Sequence, residues 1–290
     1  MHFIIKYDYI CDRDDNIRFT VYTDTMNKET LRIVQISDMH LFEDVNATLQ
    51  GRNTWRSFLA VRDLVLAEHP HPDMIVLTGD LSQDESDASY RHVAEALLPF
   101  TCPIYFIPGN HDRAADLTRV MKTTQCLADK EIVTQAWHIL LLDCTVIGKV
   151  FGEFSEQALK SIQEAVQKYP DKYLMIFLHH HPIPIHVSWL DRLGLQDPEK
   201  FLRIARAHPK LRIIAWGHIH QQFEKKENEV HYLSVPSTCI QFSPDSDTFA
   251  LDRRLPGYRF FELSEKGIVK TQVHRLTQFN DGIDYASSGY

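Results

Sequence analysis

The stretch Ile104-Tyr105-Phe106-Ile107-Pro108-Gly109-Asn110-His111-Asp112 decides how the chain is read. Its first four residues form a continuous apolar run, the pattern of a buried strand, and Pro108-Gly109 ends it in a turn. Gly109 lacks a Cβ, so the backbone can turn sharply there and come close to whatever lies beyond the strand end. Asn110 and His111 are then presented side by side. An amide oxygen is a hard metal ligand, and an imidazole is either a second ligand or a proton donor. A Gly-Asn pair alone is an ordinary turn; what changes its meaning is that four more strand ends in the same chain carry metal-type side chains.

Working outward, an apolar run over 31–36 ends in Ser37-Asp38-Met39-His40. Helical spacing of Trp55, Phe58, Leu59, Val61 and Val65 predicts a helix over 54–68, with Asn53 or Thr54 as its cap. A strand over 74–77 leads into Thr78-Gly79-Asp80, and helices are predicted over 86–98 and 114–125. Strand 137–142, helix 156–168 capped by Ser155, and strand 173–178 running into His179-His180-His181-Pro182 follow. A helix over 198–207 with Pro198 in its first turn precedes strand 211–216, which opens into Gly217-His218-Ile219-His220. Beyond it the helical signal fades, and 230–235, 260–263 and 268–273 read as strands. At the N-terminus, β-rich runs over 3–10 and 17–22 flank the polar 12–16 and predict a hairpin extension, residues 1–28, against a sheet edge. The polar tail 278–290 is expected to be loosely ordered.

Alternating strands and helices predict an α/β fold with parallel sheet and right-handed crossovers; the closing strands predict antiparallel additions. No Gly/Ser-rich linker or charge run divides residues 1–290, so one domain of two packed sheets with outer helices is expected. A net charge of -8 works against a basic stripe of the kind that tracks nucleic acid, and no nucleic-acid partner is expected. Five scattered cysteines, never in a Cys-x-x-Cys pair, fit a reducing, cytoplasmic setting. No apolar run approaches the ~20 residues that span a bilayer, and no membrane partner is expected. Sixteen histidines, several clustered, are a first sign of metal.

In parallel sheets the loops at the C-terminal strand ends converge on one crevice. Asp38-x-His40, Gly79-Asp80, Gly109-Asn110-His111, His179 and Gly217-His218-x-His220 all sit at such ends. They offer two carboxylates, an amide oxygen and several imidazoles without a thiolate, a donor set for manganese, iron or zinc rather than a cysteine-type structural zinc site. His179 directly follows its strand and is preferred over His180 and His181 as a ligand. So many donors exceed the needs of one ion but suit two that share a carboxylate. Two ions ~3.5–4 Å apart are the usual device for in-line phosphoryl displacement. Their charge attracts a phosphate ester and turns a shared water into hydroxide at neutral pH.

These five motifs, in this order from residue 38 to 220, resemble the calcineurin-like metallophosphoesterase superfamily. The resemblance implies a four-layered αββα sandwich of two mixed sheets flanked by helices. It implies that Asp38, His40 and His220 hold one ion, that Asn110, His179 and His218 hold the other, and that Asp80 bridges both. Gln50-Gly51-Arg52-Asn53-Thr54-Trp55, His179-His180-His181-Pro182, Ser188-Trp189-Leu190-Asp191 and Pro236-Ser237-Thr238-Cys239-Ile240-Gln241-Phe242 further resemble the bacterial class III 3′,5′-cyclic AMP phosphodiesterases. That resemblance covers residue 30 to the C-terminus, and the N-terminal hairpin exceeds the family pattern.

What it implies is hydrolysis of 3′,5′-cyclic AMP to 5′-AMP by a metal-bridging hydroxide, with iron or manganese, and zinc as the alternative, in the two sites. His111 would protonate the leaving 3′ oxygen, with Asp112 or a neighbouring acid holding its ring. His40, Asp80, Asn110, His111, His179 and His220 would contact the small cyclic-nucleotide substrate of a monomer or homodimer. Two other readings stand beside it: a phosphodiesterase for another small diester, such as a 2′,3′-cyclic nucleotide or a glycerophosphodiester, and an inactive binding scaffold. A protein phosphatase of the superfamily is disfavoured, because Leu81-Ser82-Gln83 follows Gly79-Asp80 and no Asp-Arg-Gly comes after. Phe42, Trp189 and Phe242 read as packing or lid residues before base-stacking ones.

Overall fold

The computed structural model describes residues 29–280, 282–287 and 289, together with the backbone of four two-residue strands near the N-terminus. In chain order the main elements are β1 (Thr30–Ile36), α1 (Thr54–Glu68), β2 (Met74–Thr78), α2 (Asp87–Ala96), β3 (Ile104–Ile107) and α3 (Ala114–Met121). Then come β4 (Cys126–Leu127), β5 (Glu131–Val133), β6 (Trp137–Leu141), α4 (Glu156–Gln167), β7 (Tyr173–Phe177), α5 (Ser188–Asp191) and α6 (Pro198–Arg206). The last are β8 (Leu211–Trp216), β9 (Glu224–Glu227), β10 (Val230–Ser234), β11 (Gly257–Ser264) and β12 (Val269–Arg275). The caps follow the sequence: Asn53 and Ser155 accept from the amides of Arg56 and Ala158, and Pro198 opens α6.

Two mixed sheets result. The first has the order β4-β3-β2-β1-β11-β12, parallel through β1 and antiparallel beyond it. The second contains the run β5-β6-β7-β8-β10-β9, parallel from β6 to β10 with β5 and β9 antiparallel to their neighbours, and continues past β5 into two short N-terminal strands. Alternation along β1 shows how they stack: Ile33 enters a core with Met175, Phe177 and Ile213 between the sheets, while Val34 and Ile36 meet Phe58 and Val61 of α1 on the outer face. On the far side, Leu159 and Ile162 of α4 and Phe201 and Leu202 of α6 cover Leu174, Ile176 and Ile214. The order is helix, sheet, sheet, helix, the αββα sandwich expected. Each fully buried Ile, Leu or Phe of these three cores contributes about 1.5–3 kcal/mol.

The two sheets are joined by polar side chains where apolar ones would be expected. Gln35, a polar interruption of the β1 run, is fully buried; its Nε2 donates to Thr78 Oγ1 at 3.0 Å and, across the sandwich, to the Trp216 carbonyl at 3.1 Å. Arg259 crosses likewise, from β11 to the Ser234 carbonyl and Glu224. The C-terminal ends of β1, β2, β3, β7 and β8 thereby open on one rim.

Boundaries differ in places. α3 stops at Met121 rather than near 125, because Thr123 and Thr124 turn their hydroxyls back onto the Val120 and Met121 carbonyls. β9, with the sequence Glu-Lys-Lys-Glu, shows no strand pattern; it is an edge strand, where charge guards against stray pairing. Near the N-terminus Lys6–Tyr7 pairs antiparallel with Val21–Tyr22, which runs parallel to β5, and Ile10–Cys11 pairs with Ile17–Arg18; the expected turn at 12–16 lies outside the described residues. In the tail, Asp284 donates its amide to the Gln50 carbonyl, and Gln50 Nε2 donates to that of Gly289. No helix among the described residues is long and apolar enough to cross a membrane.

Candidate metal centre

The rim is built by loops that bond to one another. The Asp38 amide donates to the Gly79 carbonyl and the His40 amide to that of Asp80, both at 3.0 Å. The His218 amide donates to Asp38 Oδ1 (3.0 Å) and the His111 amide to Asp80 Oδ1 (2.9 Å). Asp38, His40, Asp80, His218 and His220 all take positive φ, between 48° and 66°. Such left-handed residues cost about 1–3 kcal/mol each and persist only where the surroundings over-determine them. Their clustering here marks a site bought with strain.

Gly79 has φ 98°, and a Cβ on it would lie 2.4 Å from His179 Nδ1 and 2.8 Å from the Gly109 amide. Gly79→Ala is therefore expected to destabilise the fold by at least ~1–3 kcal/mol. Thermal unfolding measures it, and an unshifted Tm would contradict the packing described.

The sequence-selected residues meet in two adjoining groups. In one, donor atoms of Asp38, His40, Asp80 and His220 lie within 4.8 Å of each other. His40 Nε2 is 3.1 Å from His220 Nε2 and 3.7 Å from Asp80 Oδ2, and His220 Nε2 is 3.5 Å from Asp38 Oδ1. In the other, His179 Nε2 lies 3.2 Å from both Asp80 Oδ2 and Asn110 Oδ1, with the His179 and His218 rings 5.1 Å apart. Asp80 Oδ2 thus faces both groups. Asp38, His40, Asp80, His179, His218 and His220 are all buried, and Asn110 is half-buried.

Tautomers are set from behind. His179 Nδ1 bonds to the Thr78 carbonyl at 2.7 Å, His220 Nδ1 to the Ile240 carbonyl at 2.9 Å and His40 Nδ1 to Gln83 Oε1 at 2.6 Å. Each Nδ1 then carries a proton and each Nε2 is aimed inward, an open lone pair on His40 and His220 and on His179 once its second proton is lost. Asp38 Oδ2 and His218 Nε2 are buried without a hydrogen-bond partner. Orphaned buried acceptors beside converging lone pairs fit cations.

His180, the next residue after His179, has both ring nitrogens engaged, Nδ1 with Cys144 Sγ and Nε2 with the Val150 carbonyl. The bonds that the structure gives Asp112 serve the loops, where the sequence had offered it as a holder of the His111 ring: its carboxylate accepts from the amides of Gly109, Leu81 and Ser82. It locks the Asp80 loop to the Asn110 loop. His111 is half-buried, its ring edge-on to His40 at 4.9 Å. Gln83 carries no sequence signal for its place behind His40, while Phe242 lies flat on the His220 ring at 4.2 Å with Trp189 edge-on to it, in the packing role its sequence suggested. Their contacts arise only when distant loops meet.

The electrostatics of the rim's own side chains are unbalanced. Burial holds the His218 and His220 rings well below the usual imidazole range and lowers His40 to about 4, so all three are neutral at pH 7. Burial opposes ionisation of Asp80, yet His179 and His111 hold its carboxyl well below the usual range. Asp38 is raised to about 7 by burial, against the pull of His179, with Asp80 adding to the rise. His179, despite burial, rises to about 9 beside Asp80. Cations must displace the protons of Asp38 and His179, because both bind metal only when deprotonated. Metal affinity is expected to fall as pH drops below about 9 and further through about 7, and uptake to release protons in weakly buffered solution. Calorimetry in buffers of different ionisation enthalpy tests this, and a proton count of zero would contradict it.

Residues 31–222 match the family model described as calcineurin-like phosphoesterase. The chain is 37% identical over 269 residues to the 3′,5′-cyclic adenosine monophosphate phosphodiesterase CpdA of Vibrio vulnificus, covering 92% of this chain and 98% of that protein. Against the protein of the same name from Escherichia coli K12, identity is 38% over 261 residues, covering 90% and 95%. Among solved structures, a dimetal phosphatase from Danio rerio is similar with a TM-score of 0.59, at 16% identity and covering 84% of this chain and 98% of that one, a likeness of fold.

Proposed function

The chain belongs to the calcineurin-like phosphoesterase family, and from that premise we propose that it is a dinuclear-metal phosphodiesterase that hydrolyses 3′,5′-cyclic AMP to 5′-AMP. One observation carries the reading: Asp80 Oδ2 stands between two groups of inward-facing donors, 3.7 Å from His40 Nε2 and 3.2 Å from His179 Nε2. The substrate is supported by two relatives that bear that activity in their names and align over nine-tenths of the chain.

In this reading Asp38, His40 and His220 hold one cation, Asn110, His179 and His218 the second, and Asp80 both. The donors accept iron or manganese, with zinc as the alternative. When bound, such a pair neutralises the phosphodiester charge and lowers the pKa of water towards neutrality. The chain's own part is orientation and proton handling. Thr78, Ile240 and Gln83 keep the imidazoles in one tautomer, and Asp112 keeps two loops in register. In hydrolysis the phosphorus gains a water oxygen, the bond to the ribose 3′ oxygen breaks, and that oxygen needs a proton. His111, half-exposed beside Asn110 and His40, delivers it. His40, Asp80, Asn110, His111, His179 and His220 form the surface against which the phosphate sits. The free thiols of Cys102, Cys126 and Cys144 fit a reducing compartment, and we place the enzyme in the cytoplasm.

Nucleotide profiling of the metal-reconstituted protein tests the proposal. Release of 5′-AMP from 3′,5′-cyclic AMP, in preference to a 2′,3′-cyclic nucleotide, is expected. Cleavage of only another small diester would reassign the substrate, and metal uptake without hydrolysis of any diester would favour a scaffold.

A further inference from the structure

A second set of metal-type side chains lies away from the rim, on the outer face of the first sheet. Glu68 ends α1, His69 is its C-cap residue, and His274 stands near the end of β12; one donor atom from each lies within 4.8 Å of the others. Glu68 Oε2 is 2.6 Å from His274 Nδ1 and accepts from the Tyr258 hydroxyl at 2.7 Å, so the carboxylate is held in place. The His69 ring lies flat on Phe260 with centroids 3.6 Å apart, and edge-on to His274 at 5.0 Å. Aromatic packing fixes the ring, yet its Nε2 is buried with no hydrogen-bond partner. Leaving such an atom unsatisfied costs about 1–3 kcal/mol, a cost that a bound cation at this nitrogen would remove. His71, Arg32 and Gln272 line the same recess.

We propose that Glu68, His69 and His274 form a binding site for one zinc-type divalent cation, distinct from the centre at the rim. Two imidazole nitrogens and one carboxylate oxygen are an ordinary zinc donor set, with a fourth position left for water. The ion would pin the C-terminal end of α1 to the edge strand β12. It would add its binding free energy to the folded state. This site does not rest on the cyclic-nucleotide reading.

Zinc is the probe. Full-length protein loaded with zinc, dialysed and analysed for metal is expected to hold three equivalents per chain. His69→Gln, His274→Gln and Glu68→Gln are each expected to hold two and to keep the hydrolytic activity of the parent, three separate variants guarding against one that misfolds. Loaded parent protein is also expected to lose thermal stability when the third equivalent is removed, a shift absent in the variants. Equal metal content in the parent and in the correctly folded variants would overturn the proposal. A variant emptied at the rim, Asp80→Ala, is expected to keep one equivalent, which separates failure of this site from failure of the rim.

Discussion

Asp80→Ala is expected to lose rim-bound metal and turnover together. The reason lies in where the carboxylate stands: its Oδ2 is 3.7 Å from His40 Nε2 and 3.2 Å from His179 Nε2. Removing it deprives both cation positions at once of their shared negative charge. It also releases the His111 amide, which donates to Asp80 Oδ1, so the Asn110 loop loses one anchor. His179, held near 9 by Asp80, would fall back towards neutrality, which cannot replace the lost ligand. Elemental analysis alongside a cyclic AMP assay reads the result. A variant with full metal content would contradict the bridging assignment, and Asp80→Asn, which keeps the shape, isolates the charge from the packing.

His111→Ala is expected to behave in the opposite way, keeping its metals while turnover on cyclic AMP falls by ~10²–10⁴, the range of a lost general acid. The ring is half-exposed at the rim and edge-on to His40, whose own Nδ1 is committed to Gln83. A ribose 3′ oxygen leaves as a poorly stabilised alkoxide and needs a proton; a p-nitrophenolate does not. The variant should therefore lose far less on a p-nitrophenyl diester than on the cyclic substrate. Equal losses on both would point to a positioning role, and unchanged turnover on the cyclic substrate would remove His111 from the chemistry.

Much of this was legible before any coordinates. Apolar runs ending in Asp38, Asp80, Asn110, His179 and His218 are short-range patterns, and a strand end is a local property. Caps such as Asn53 and Ser155 are local too, and the helices they open start where the sequence says. The run Glu224–Glu227 was illegible because its extended conformation comes from pairing with β10, not from its own side chains. Gln35, read as an interruption of a strand, turned out to be a bond between the two sheets.

The sequence alone determined the alternation of strands and helices that makes an α/β fold of two packed sheets, and the identity of the side chains delivered to the strand ends, since periodicity and ligand chemistry are written residue by residue; the αββα layering was what the family resemblance implied. Only the tertiary structure decided what each of those groups is held by. Gln83 orients His40 from 43 positions away, Asp112 joins two loops about 30 residues apart, and His69 meets His274 across the chain. The physical reason is that a hydrogen bond or a donor cluster depends on separations of about 3–5 Å in space, and sequence distance carries no record of them until the sheets have packed.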